Sequence, residues 1–207
     1  MGRPKALLPW GDVGAHGPFG FAQGRRAPLL IEYQVRELLA AGVDDLIVVL
    51  GHAAEEIRPH VPSEASTGSA RRVRVVVNEA YRQGRASSLR AGAKALPDDA
   101  DPILVLNVDQ PRPRDVLAKL LAAHRRGGDL ITVPAYRGKR GHPPVLAGSL
   151  LPELREASEE ARGLRGVIAA HEGEVGEAAI ESPVVLLDIN TEEEYQRALA
   201  EFGLSSS

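Results

Sequence analysis

The chain has 207 residues, 43% of them hydrophobic and none of them cysteine, with 25 Lys and Arg against 28 Asp and Glu for a formal charge of −3. That length can bury a full core unaided, and the missing cysteines exclude disulfides, thiolate zinc sites, iron–sulfur clusters and a cysteine nucleophile, which fits a cytoplasmic protein better than a secreted scaffold. The charge gives no basic field for nucleic acid, no leader pattern is present, and the longest apolar runs fall far short of the roughly 18 residues of a membrane span.

In chain order, short apolar runs alternate with amphipathic ones, the pattern of an α/β fold whose strands are covered on both faces. Gly11 to Arg26 holds five glycines and a proline without a period and reads as a flexible loop. Ile31, Val35, Leu38 and Leu39 share a helical face. Asp45 to Leu50 reads as a strand ending at Gly51, and Val73 to Val77, after the small polar loop Ser63 to Ala70, as a strand ending at Asn78. A helix opens in Gly84–Arg90; Ile103 to Leu106 is the next strand; Pro113 suits the first turn of a helix carrying Leu117, Leu120 and Leu121. Leu130 to Val133 and Val184 to Leu187 read as further strands. Thr191-Glu192-Glu193-Glu194 is a capping box before Tyr195, Leu199 and Phe202. With no internal repeat, the expectation is one domain over 1–207.

Ligands of parallel sheets collect beyond the carboxyl ends of strands. There the chain places Asn78, then Asn107-Val108-Asp109-Gln110-Pro111, then Asp188-Ile189-Asn190-Thr191. Asp109, Asp188 and Asn190 could converge on one divalent ion, and so sparse a set suits magnesium shared with phosphates. The plainer reading, a turn acid before Pro111 and two polar residues before a cap, stays open beside it. Gly2-Arg3-Pro4-Lys5 puts two cations beside a glycine, suited to phosphate. Gly84 with Ser87 and Ser88 opens a helix whose free N–H groups could meet an anion or a base edge, or simply cap the helix. His142, between Gly141 and Pro143 and beside Arg137, Lys139 and Arg140, is either a turn histidine or part of an anionic acceptor site. The other five histidines have no metal-ligand spacing. Arg165, in Gly163-Leu164-Arg165, could reach an acceptor phosphate or lie on a solvated helix face.

Taken in order, Gly-Arg-Pro-Lys-Ala-Leu-Leu-Pro at 2–9, Ala41-Gly42-Val43, Asn78, Gly84, Ser87-Ser88-Leu89-Arg90, Leu106 to Pro111, Tyr136 to Pro143 and Asp188 to Thr191 resemble the molybdenum cofactor nucleotidyltransferase-like (MobA-like NTP transferase) family. The resemblance spans nearly the whole chain and is closest to the molybdenum cofactor cytidylyltransferases. It implies a three-layer Rossmann-like fold with a mostly parallel sheet. It also implies Mg2+, an NTP (CTP or GTP), transfer of NMP to a phosphorylated acceptor of the molybdopterin type, and release of pyrophosphate. Carried over by position, Lys5 and Asp109 would be catalytic, and Gly2, Arg3, Lys5, Asn78, Gly84, Ser87 and Ser88 would bind the nucleotide. Gly141, His142, Pro143 and Arg165 would line the acceptor side, and Asp109, Asp188 and Asn190 would hold the metal. A molybdoenzyme or chaperone as a further partner is left open.

Three departures accompany the resemblance. Members of the family normally carry a strand and a loop Leu-Ala-Ala-Gly-x-Ser-x-Arg before the segment that begins here at Met1, so the first central strand is expected to be truncated and its neighbours' edges exposed. Residues 11–26 separate Lys-x-Leu-Leu-Pro from Pro28-Leu29-Leu30, which run together in relatives. Glu159-Glu160-Ala161-Arg162 stands where relatives often carry Gly-Asp. Two other readings remain: a sugar-phosphate or other small-phosphate nucleotidyltransferase, and a non-catalytic nucleotide-binding homologue.

Overall fold

The structure is a computed structural model that describes residues 3–11, 27–62 and 71–204; Gly2 and the loop stretches 12–26 and 63–70 lie outside the described residues. α1 (Leu30–Ala40) buries the expected face, and Glu32 accepts the Leu29 N–H at 2.8 Å at its start. β1 (Asp45–Leu50) follows, then the single turn α2 (Ala54–Ile57). β2 (Arg72–Val77) lies parallel to β1, with Asp45 opposite Arg72 and Leu50 opposite Val77. Successive strand residues face opposite ways. Val48 and Leu50 pack with Val35 and Leu39 of α1, while Val49 meets Gly92 of α3 (Arg85–Ala95) on the other face. Helix on both faces is what makes the run Leu46 to Leu50 continuously apolar.

β3 (Ile103–Leu104) leads to α4 (Arg114–Gly127), which ends at Gly128 in the left-handed region, φ 76°. Pro113 stands just outside α4 as its N-cap rather than within the first turn. β4 (Ile131–Tyr136) is the hub of a second sheet: β5 (Lys139–Arg140) and β6 (Val145–Leu146) pair with it antiparallel, and β6 also pairs with β3. After α5 (Leu151–Arg155) and α6 (Gly163–Ala170), β7 (Val175–Ala179) joins β4 in a five-residue parallel ladder. The long ladders are thus parallel and the antiparallel ones two residues each, in an α/β fold with helices and strands intermixed. α7 (Glu192–Glu201) closes the fold with the expected capping box: Thr191 Oγ1 accepts the Glu194 N–H at 3.2 Å, and Glu194 accepts those of Thr191 and Asn190 at 3.1 and 2.7 Å.

Two strand expectations are corrected. Val184 to Leu187 is not a strand; Pro183–Leu186 forms a 3-10 turn with Val184 and Val185 buried. Pro183 has no N–H for a ladder, and the Val185 carbonyl is taken by Arg112 and His142. The strand expected to reach Leu106 stops at Leu104, because beyond Val145 the paired strand β6 gives way to Pro143-Pro144, which cannot donate; Val105 N–H makes only a 3.3 Å bond to Pro144 O.

The flanks of the 12–26 stretch lie side by side: Trp10 N–H donates to Pro28 O at 2.6 Å and Leu30 N–H to Leu8 O at 2.9 Å. Trp10 packs with Tyr33, Tyr195 and Phe202, ring centroids 5.8, 6.3 and 5.0 Å away, which clamps α7 onto α1 and the amino-terminal segment. Among the described residues no helix is long and apolar enough to cross a membrane.

His124, buried in the last turn of α4, has Nδ1 2.9 Å from Thr132 Oγ1 of β4. Burial lowers its pKa below the ordinary 6.5, with Asp101 and Asp129 opposing. As pH falls, the unfolded chain therefore takes up this proton before the folded one, so stability is full above about pH 6.5 and falls below it. Urea unfolding between about pH 7.5 and about pH 5 should show that slope, and His124→Gln should reduce it.

Candidate active site

Lys5 opens a short 3-10 turn whose next two residues, Ala6 and Leu7, are buried against α1 and β1. With its backbone so anchored, the Lys5 ammonium donates to Asp109 Oδ2 at 3.0 Å and to Asn190 Oδ1 at 2.9 Å, partners 104 and 185 positions away in sequence. The Asp109 turn follows β3 and is held by Gln34 of α1, whose amide donates to Val108 O at 2.6 Å and Asn107 O at 3.3 Å. Ile189 N–H donates to Asp109 O at 2.9 Å, which lays the segment carrying Asp188 and Asn190 across that turn. Asn107 donates to Gln110 Oε1 at 3.2 Å, and Gln110 donates to Asp188 Oδ1 at 2.7 Å.

Arg112, fully buried, underlies these groups. Its three nitrogens donate to the carbonyls of Pro111 and His142 at 2.8 Å, Val185 at 3.0 Å and Leu187 at 3.1 Å. Burial pushes its pKa down to about 10, opposed by Asp188 and then Asp109, so the guanidinium stays charged at neutral pH. The oxygens fit a divalent cation of a particular kind. Among the described residues no group of three or more His, Cys, Asp or Glu could cage an ion. Yet a carboxylate and an amide oxygen already converge on one cation, the Lys5 ammonium, with a second carboxylate, Asp188, on the adjoining segment. Such hard, sparse oxygen donors match an ion that completes its shell with phosphates and water.

A second cluster joins the end of β2 to the start of α3. Asn78 donates to Ser87 Oγ at 2.8 Å and Ser88 Oγ at 3.0 Å and accepts the Ala80 N–H at 3.1 Å; Ser87 Oγ donates to Gly84 O at 2.8 Å. Asn78 and Ser87 are buried and satisfied internally, whereas Ser88 is half-buried. The Glu159 carboxylate accepts the Ala86 N–H at the α3 N-terminus, and a Cβ on Gly84, at φ 107°, would run into that carboxylate. The anion-suited helix end is thus occupied by the chain's own Glu159.

On the third side, Gly141 and Pro143 are buried and His142 is exposed. Gly141 N–H donates to Pro134 O at 2.7 Å and His142 N–H to Val185 O at 2.9 Å. A Cβ on Gly141 would strike the Val185 carbonyl, so the glycine is required by packing. Although its side chain meets solvent, the protein packed around the His142 ring desolvates it and lowers its pKa, with Asp188 opposing and Arg112 and Arg165 reinforcing the shift. Two cations that seemed to flank His142 are engaged elsewhere: Arg140 pairs with Glu172 at 2.5 Å and Glu177 at 2.7 Å, and Arg137 lies over the Tyr136 ring.

Lys5, Asp109 and Asn190 are therefore in direct contact, Asp188 joins through Gln110, and His142 and Arg165 border them electrostatically. Gly84, Asn78, Ser87 and Ser88 form their own cluster, Arg3 is exposed, and Gly2 lies outside the described residues. Gln34, Gln110, Arg112 and Glu159 received no role from the sequence; Gln110 and Arg112 lay inside the Asn107–Pro113 segment, where the signal was an arginine between two prolines after a strand.

Comparison with known proteins matches residues 1–175 to the MobA-like NTP transferase domain. Rv0371c from Mycobacterium tuberculosis H37Rv is similar in structure, with a TM-score of 0.70, 25% identity and coverage of 97% of this chain and 91% of that one. A manganese complex of Rv0371c matches with a TM-score of 0.68, 27% identity and coverage of 96% and 93%. In sequence, a stretch of 105 residues is 29% identical to the bifunctional protein GlmU of Rubrobacter xylanophilus, covering 50% of this chain and 20% of that relative. The chain thus spans about a fifth of the length of the curated relative it matches.

Gly141→Ala tests the packing assignment directly. Overpacking against a backbone carbonyl should cost about 1–3 kcal/mol in thermal or urea unfolding. An unchanged midpoint would show that the glycine is not fixed by Val185.

Proposed function

The chain belongs to the MobA-like NTP transferase family, and from that premise we propose that it transfers a nucleoside monophosphate, CMP in the first instance, from a magnesium-bound NTP to a phosphorylated small-molecule acceptor of the molybdopterin type. An acceptor phosphate oxygen attacks the α-phosphorus in line; its new P–O bond forms as the bond to the β-phosphate oxygen breaks, and pyrophosphate leaves. No covalent enzyme intermediate is needed, so the protein's work is positioning and charge neutralisation.

The observation that carries this reading is the convergence of Asp109 and Asn190 on one cation, with Asp188 tied alongside by Gln110. Asp109, Asp188 and Asn190 would hold the magnesium ion, which when bound supplies charge neutralisation at the phosphates. Lys5, a flexible point charge, would pass from the carboxylate to triphosphate oxygens once a divalent ion takes its place. Gly2 and Arg3, next to Lys5 in sequence, would meet phosphates; Gly84 and Ser88 would meet the nucleotide, with buried Asn78 and Ser87 bracing them. His142 and Arg165 would contact the acceptor, with Gly141 and Pro143 shaping the loop.

A sugar phosphate or other small phosphate is the alternative acceptor, because its phosphate oxygen would attack in the same way. Pyrophosphate release from CTP, GTP, ATP and UTP, each offered molybdopterin or a sugar 1-phosphate with Mg2+, separates the two. Asp109→Asn should lower release about a hundredfold or more while leaving the unfolding midpoint nearly unchanged. Equal release by the variant, or by the wild type without divalent ion, would defeat the reading.

A further inference from the structure

Arg112 is costly where it stands. It is fully buried, and among the described residues no carboxylate bonds its guanidinium directly; four backbone carbonyls do. A charge removed from water is strongly disfavoured unless its donors are met, and apolar residues can often fill such a volume at no loss of stability. What the charge secures is visible in its partners. Pro111 lies two residues after Asp109, His142 is the exposed ring of the acceptor-side loop, and Val185 and Leu187 lead directly into Asp188. The Val185 carbonyl is shared by the Arg112 guanidinium and the His142 N–H, so one oxygen joins two of these segments. Only a planar fork of donors can serve carbonyls from three separate segments at once; a lysine ammonium of similar charge cannot span them. The carboxylates that act most strongly on the guanidinium are Asp188 and then Asp109, the residues of the site that these segments carry.

We infer that Arg112 is a positioning residue that fixes the His142 loop and the Asp188–Asn190 segment in register with Asp109, and so sets the geometry in which the acceptor meets the nucleotide. The inference rests on the transferase reading for its catalytic consequence and on the four hydrogen bonds for its structural one. Its effect is directional. The nucleotide side, built on Lys5 and Asp109, retains Gln34 and the turn after β3 as supports when Arg112 changes, whereas the acceptor side loses the group that ties it down.

Arg112→Lys keeps the charge without the fork, and Arg112→Met keeps the bulk without the charge. Hydrogen exchange of the full chain should be faster by about tenfold or more in Arg112→Lys over 140–143 and 185–190, with β1 and β2 unchanged. In steady-state assays below the melting temperature, the KM for the acceptor should rise about tenfold or more, and the KM for CTP, reached only through the Asp188–Asn190 side of the metal site, by clearly less. Arg112→Met should show the same pattern where it folds; if it does not fold, Arg112→Lys decides alone. Unchanged exchange at both segments, or uniformly faster exchange through β1 and β2 as well, would overturn the inference, as would KM values that move together or not at all. Should the wild type itself release no pyrophosphate with any acceptor, the transferase reading fails, and the exchange pattern still decides whether Arg112 holds the two segments.

Discussion

The Lys5 ammonium, shared between Asp109 and Asn190, is the contact on which the site depends, because it joins the first described residues to a mid-chain strand end and to the segment before the last helix. Its strength is modest. The Lys5 and Asp109 side chains keep 30% and 15% of their exposure, and a pair screened to that degree contributes on the order of 1 kcal/mol. It cannot hold three segments together unaided. The aromatic cluster of Trp10, Tyr33, Tyr195 and Phe202 does so, with Leu8, Leu30, Ile189 and Leu199 packed around it. Each buried side chain of this kind is worth about 1.5–3 kcal/mol. The division of labour follows from those magnitudes: apolar burial fixes where Lys5, Asp109 and Asn190 stand, and the weak polar contact between them is free to exchange partners.

Charge follows the same plan. Lys5 bonds Asp109 directly while Arg112 acts on Asp188 and Asp109 through space, the first partly exposed on a flexible stem and the second buried and fixed by carbonyls. A divalent ion entering among the carboxylates would repel Lys5 toward incoming phosphates, while Arg112, with its donors committed, would stay. Neutral amides do the remaining work. Gln34, Asn107 and Gln110 orient the Asp109 turn and the Asp188 carboxylate without adding charge that would compete with metal or nucleotide.

Much of this was legible in the chain because local patterns decide local structure. The apolar run at 45–50, the helical faces of α1 and α4 and the capping box at Thr191 all stand where their spacing put them. Asp109 and Asn190 were expected beside one ion, but their sharing of the Lys5 ammonium, 104 and 185 positions away, has no mark in the sequence. What failed to show was set by distant backbone. Val184 to Leu187 has strand composition, but Pro183 and the demands on the Val185 carbonyl make it a turn. β7, Val-Gly-Glu-Ala-Ala, is too poor in apolar residues to announce itself. Arg112 drew no reading because its partners lie up to 75 positions away, and Glu159 reaches the α3 N-terminus across 73. Gly141 carried a motif, but the close approach that requires it, to the Val185 carbonyl, has no mark in the sequence.

The most direct test of this account is binding of Mn2+, followed by its paramagnetic resonance, and of Mn-CTP, followed by calorimetry, to the wild type and to Lys5→Met. If the ammonium stands in the place of the divalent ion and then moves to the phosphates, the variant should bind Mn2+ alone more tightly, by about tenfold, and Mn-CTP more weakly by at least as much. Weaker or unchanged Mn2+ binding in the variant, together with unaltered affinity for Mn-CTP, would contradict it.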